Sequence, residues 1–155
     1  MATTVYNKEM TFSGLAQILL HQPLPKLTAL RLSTTKYFRS ARHGDPFYHL
    51  PEEFALLAGY NVLESISVSV AFGSVAWTIE DCELERFDQP FTKTGFPFLK
   101  SFDLVLYFWT SADPAHPAAF LEELNLPWRY SSQLKRLHSR PDLTLTCHAE
   151  LCEYT

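Results

Sequence analysis

The stretch Phe96–Leu106, FPFLKSFDLVL, is the clearest of three copies of one spaced pattern. Set beside Leu24–Leu32 (LPKLTALRL) and Tyr60–Val68 (YNVLESISV), it places large apolar residues at the same four positions. Leu24, Leu27, Leu30 and Leu32 correspond to Tyr60, Leu63, Ile66 and Val68, and these to Phe96, Leu99, Phe102 and Leu104. The offset is 36 residues both times, 63 − 27 and 99 − 63. A period held without slippage is the mark of stacked repeats, in which each unit buries its apolar face against its neighbours.

Outward from this pattern, each copy reads as one helix feeding one strand. Ser13 can cap a helix carrying Leu15, Ile18 and Leu19, ended by Pro23 and Pro25, before the short strand Leu27–Ser33. Pro51 suits the first turn of a second helix, with Glu52 and Glu53 near its positive end and Phe54 and Leu57 on its core side. Gly59 and Gly95, again 36 apart, both fall where a left-handed helix cap belongs. The strand Leu63–Val70 alternates Ser65, Ser67 and Ser69 with Ile66, Val68 and Val70, so it covers a core with one face only. A third, poorer helix around Leu84–Phe91 precedes the strand Leu99–Tyr107, whose apolar run predicts a covered outer face. The proline-bracketed segment 113–128 is the natural cover, and Trp109 and Trp128 can pin it. A helix with Leu134 and Leu137 then leads to a stretched fourth copy, in which Leu145 answers Leu104. The expected organisation is a single repeat domain over 1–155, with units at about 13–48, 49–84, 85–112 and 113–150.

Hydrophobic residues make up 46% of the 155 positions and aromatic ones 14%, enough for a real core. The net charge of −4 argues against a dedicated nucleic-acid or anionic-membrane binder. No stretch has the apolar length of a signal peptide core or a membrane span. Cys82, Cys147 and Cys152 describe no disulfide framework, and a cytoplasmic or nuclear location is expected.

The cores Leu27-x-x-Leu30-x-Leu32, Leu63-x-x-Ile66-x-Val68 and Leu99-x-x-Phe102-x-Leu104 resemble the L-x-x-L-x-L of leucine-rich repeats over about residues 13–147. The irregular, helix-bearing units are most similar to the repeat regions of fungal F-box-type proteins, although no F-box is present. The resemblance implies an α/β fold, a short leucine-rich-repeat-like solenoid with a parallel curved sheet and outer helices. It also implies a role in gripping another protein, as the substrate- or partner-recognition part of an adaptor. The sequence departs from the family at the asparagine or cysteine after the strand, where Thr35, Ala71 and Tyr107 stand, and in the length of its period.

With the leucines inward, the other face of the sheet collects four rows: Ala29, Ser65, Ser101 and Asp142; Arg31, Ser67, Asp103 and Thr144; Ser33, Ser69, Val105 and Thr146; Thr35, Ala71, Tyr107 and His148. Arg31, Ser65, Ser67, Ser69, Ser101, Asp103 and Tyr107 are the candidate partner-binding residues, with Arg31 and Asp103 as a charge pair across the serines. A solvated strand face needs only to be polar, and this is the bland account of the same residues. Cys147, His148 and Cys152 have metal-ligand chemistry at an unsuitable spacing, and no cofactor or catalytic residue is expected. The basic stretch Lys36, Arg39, Arg42 and His43, and the cluster Arg129, Lys135, Arg136 and Arg140, read as a solvated loop and an amphipathic helix. The alternative to a non-enzymatic interaction module is a small α/β enzyme or ligand-binding protein, which requires a phosphate loop or clustered carboxylates at strand ends. Leu27–Ser33 is the first edge strand, to be covered by residues 1–12, paired with a second copy in a homodimer, or continued by further repeats.

Overall fold

A computed structural model of the chain describes residues 2–7, 13–21, 27–36, 47, 49–72, 84–110 and 132–153. Five strands, β1 (Ala2–Asn7), β2 (Ala29–Lys36), β3 (Ser65–Phe72), β4 (Ser101–Thr110) and β5 (Thr144–Glu153), form one sheet in chain order. Every neighbouring pair is parallel. Four described helices lie between them: α1 (Leu15–His21), α2 (Leu50–Leu57), α3 (Leu84–Asp88) and α4 (Lys135–His138). The architecture is therefore α/β with an all-parallel open sheet.

The 36-residue echo becomes the lateral register. Leu30 sits beside Ile66, and Ile66 beside Phe102; one layer on, Leu32, Val68 and Leu104 are aligned in the same way. All six are 1% exposed or less. Helix side chains Leu15, Phe54, Leu57, Phe87 and Leu137 belong to the same core, so the helices cover the leucine face. At its centre Phe91 meets Phe54 at 4.9 Å, Phe96 at 5.0 Å and Phe102 at 5.0 Å between ring centroids, tilted or edge-on as aromatic quadrupoles prefer. The leading leucine of each L-x-x-L-x-L core, Leu27, Leu63 or Leu99, is buried just ahead of its strand, whereas Tyr60, at the first position of its copy, is exposed. The ladder opens between them: Lys100 N–H donates to Glu64 O at 2.8 Å, as Glu64 N–H does to Thr28 O.

Of the three alternatives for the first edge, coverage by residues 1–12 is the one found: they supply β1, which pairs along β2 from Ala2 beside Ala29 to Asn7 beside Thr34. Leu27–Ser33 is thus not an edge, and a homodimer cannot form through it while β1 is in place. In the fourth unit the register lies two residues from the one expected: Leu145 pairs with Phe102 and Cys147 with Leu104. Gly59 does have positive φ, 80°, but it closes a turn rather than a left-handed helix cap. Ala58 at φ −58°, ψ 128°, followed by Gly59, with Tyr60 N–H donating to Leu57 O at 3.1 Å, is a type II turn. Gly95 has no positive φ; a Cβ there would come within 2.8 Å of Pro90 O and 3.2 Å of the Ala58 side chain, so glycine is needed for close approach. Gly59 N–H donates to Gly95 O at 2.7 Å, which is the contact that close approach permits.

Two buried carboxylates join helices to one another. Glu53 on α2 accepts from Gly14 N–H at 2.7 Å and Ala16 N–H at 2.6 Å, satisfying the start of α1 rather than of its own helix. Asp88 on α3 accepts from Arg136 N–H at 2.6 Å and Leu137 N–H at 3.0 Å at the start of α4. Burial pushes the Asp88 carboxyl above its ordinary range, and those two N–H groups oppose the shift. Arg140, expected on an amphipathic helix, is buried beyond it and donates to Phe96 O at 3.0 Å and Leu99 O at 3.1 Å. The segment 113–128, Trp109's side chain and the basic residues 39–43 lie outside the described residues.

Candidate partner-binding face

Alternation along three parallel strands carries one set of side chains away from the core. Ala29, Ser33, Ser65, Ser67, Ser69, Ala71, Ser101, Asp103 and Tyr107 are all partly exposed, and Arg31 is exposed. Because the strands are in exact lateral register by 36 residues, the side chains stand in rows rather than scattered. Ala29, Ser65, Ser101 and Thr144 form the first row; Arg31, Ser67, Asp103 and Thr146 the second. Ser33, Ser69, Val105 and His148 form the third, and Thr35, Ala71, Tyr107 and Glu150 the fourth. All seven predicted site residues therefore share this face.

The chemistry of the face lies in what its groups leave undone. None of the hydroxyls of Ser65, Ser67, Ser69 and Ser101 takes part in a side-chain hydrogen bond among the described residues. Arg31 and Asp103 are not the pair that was expected. They stand two strands apart, about 10 Å at ordinary strand spacing, with Ser67 between them, and neither has an ion-pair partner among the described residues. Val105 interrupts the polar floor and is buried on this side.

At the β5 end the correct register brings in His148 and Glu150, both exposed, with Nε2 and Oε1 3.6 Å apart. Leucine spacing misassigns them because Leu143-x-Leu145 imitates Leu30-x-Leu32, whereas Asp142 occupies the place of Leu27, Leu63 and Leu99. The loss of that leading leucine is the signal that marks the slip. Cys147 faces the core, and burial together with the charge of Asp103 pushes its thiol up to about 12. Cys152 lies at the opposite parity, so the two cysteines and His148 do not converge on one point. Among the described residues no three His, Cys, Asp or Glu side chains are grouped as metal ligands would be.

An open cleft of about 710 Å³ lies elsewhere, beside the end of α4, with Phe91, Lys93, Arg136, Arg140 and Asp142 among its lining. Its charges are already spent within the protein. Lys93 and Arg140 both pair with Asp142, holding that carboxyl down at about 2, and Arg140 closes the carbonyls of the turn before β4. Lys135 and Arg136 are exposed, but Arg140 is not available to join them in a basic patch. Among the described residues no helix is long and apolar enough to cross a membrane. No protein-family model matches the chain, and neither a curated protein nor a solved structure matches it significantly.

Proposed function

We propose that the chain is a short leucine-rich-repeat-like solenoid acting as a non-enzymatic protein-protein interaction module, with the serine face of its sheet receiving a segment of another protein. One observation carries this reading: four serine hydroxyls and two charged side chains are ranked across three strands with their hydrogen-bonding capacity uncommitted. Small side chains let an incoming backbone approach, and Arg31 and Asp103 give it a polarity along the row. Repeat arrays commonly bind through the continuous surface that stacking creates. The strand order runs 1 to 5 without a reversal, which supports this reading over a doubly wound enzyme, where ligands sit at the point of reversal. By its resemblance to F-box-type repeats, the module is the partner-recognition part of an adaptor.

The test is affinity capture with the wild-type chain, with Ser67→Arg in the middle of the second row, and with Gln17→Arg on the exposed side of α1 as a control. Partners bound through the face are lost with Ser67→Arg and kept with Gln17→Arg. Equal capture by all three chains removes this face as the binding surface.

A further inference from the structure

β5 differs from the strands before it in how its inward side chains are covered. The described counterparts in β2, β3 and β4 are buried, whereas Leu145, Cys147, Ala149 and Leu151 pack on the core and remain partly exposed. The reason is position: β5 ends the sheet, and among the described residues it pairs with β4 alone. It is ten residues long and carries neither proline nor lysine, two of the devices that ordinarily blunt a sheet edge; its exposed charge is Glu150.

We propose that β5 pairs with β5 of a second copy, antiparallel about a twofold axis through Ala149, to make a closed dimer with one ten-stranded sheet. Directly opposed residues in an antiparallel pair point to the same face, so the inward sets of the two copies meet. With Ala149 on the axis, Cys147 stands opposite the second copy's Leu151 and extends the half-covered apolar layer. His148 stands opposite the second copy's Glu150, twice by symmetry, and both side chains are exposed in the single chain. Centring the pair on His148 or on Glu150 instead sets imidazole against imidazole or carboxylate against carboxylate. Charge complementarity thus selects one register. A twofold uses the same edge in both copies and stops at two, whereas adding β5 to β1 of the next copy builds open filaments.

Sedimentation equilibrium of the full chain tests this. The wild type shows a monomer-dimer equilibrium that does not grow further. His148→Glu and Glu150→Lys each weaken it roughly tenfold, and the double variant His148→Glu/Glu150→Lys restores it to within about twofold. As a check that needs no charge change, Thr146→Cys, which faces the second copy's Cys152 in this register, forms an intermolecular disulfide on mild oxidation that Cys152→Ser abolishes. A wild type that stays monomeric at millimolar concentration, assemblies larger than two, no rescue in the double variant, or a dimer without that cross-link each overturns the proposal.

Discussion

Cys147 and Cys152 are five residues apart on one strand and belong to different surroundings. Cys147 faces Leu104's side of the sheet, where burial favours the neutral thiol; Cys152 is also raised by burial and by Glu150, but only Cys147 reaches about 12. With iodoacetamide at pH 8, Cys152 is therefore modified well before Cys147, measured peptide by peptide by mass spectrometry. The linkage has a fixed sign. A thiol raised from 9.0 to about 12 on folding lends stability that is intact below pH 9 and drains away as pH climbs toward 12. Alternation in the sequence suffices to place these two cysteines on opposite faces, because strand parity is a local property. The 36-residue spacing of Gly59 and Gly95 is just as visible but hides two different needs, a positive φ at one and room for a neighbouring chain at the other. At Gly95 the crowding comes from Pro90 O close by in sequence as well as from Ala58 on the neighbouring unit, and spacing alone reports neither.

α1 and α4 are held at their starts by carboxylates from their neighbours, so single residues there act on whole elements. Glu53→Ala strips two backbone N–H groups of α1 of their acceptor in a buried place and lowers stability by about 2 kcal/mol, seen as a lower urea midpoint. Glu52→Ala removes only an exposed ion pair with Arg86 and shifts it by less than about 0.5 kcal/mol. An equal effect from both overturns the capping account. Sequence places α2 correctly, since Pro51 and the Phe54, Leu57 spacing are local signals, but it assigns Glu53 to its own helix because helix-to-helix contacts leave no trace in spacing. β2, β3 and β4 are legible to within two or three residues; each begins after the leading leucine of its pattern, which packs ahead of the ladder. β1 is legible only as one of three covers for the first edge, because Ala2–Asn7 carries no leucine pattern and its place is set by pairing along β2.

The molecule as a whole is one core threaded by a file of phenylalanines. Phe91→Ala, at the centre of that file, costs about 4 kcal/mol and lowers the single thermal transition by all probes together; separate transitions for the two halves would show that the repeats melt independently. The parallel order of β2, β3 and β4 was legible because each layer repeats its neighbour's apolar teeth, while the polar face followed only as far as β4, where the 36-residue rule lapses. Beyond that point the two-residue slip moves His148 and Glu150 into rows that leucine counting gives to others. The carboxylates of Glu53 and Asp88 have a further consequence. One reaches back to the helix before it and the other forward to the helix after it, so both outer helices hang from the middle pair. Amide hydrogen exchange is accordingly expected to show local opening of α1 and α4 below the one cooperative transition, with the middle pair and the sheet opening only when the whole chain does.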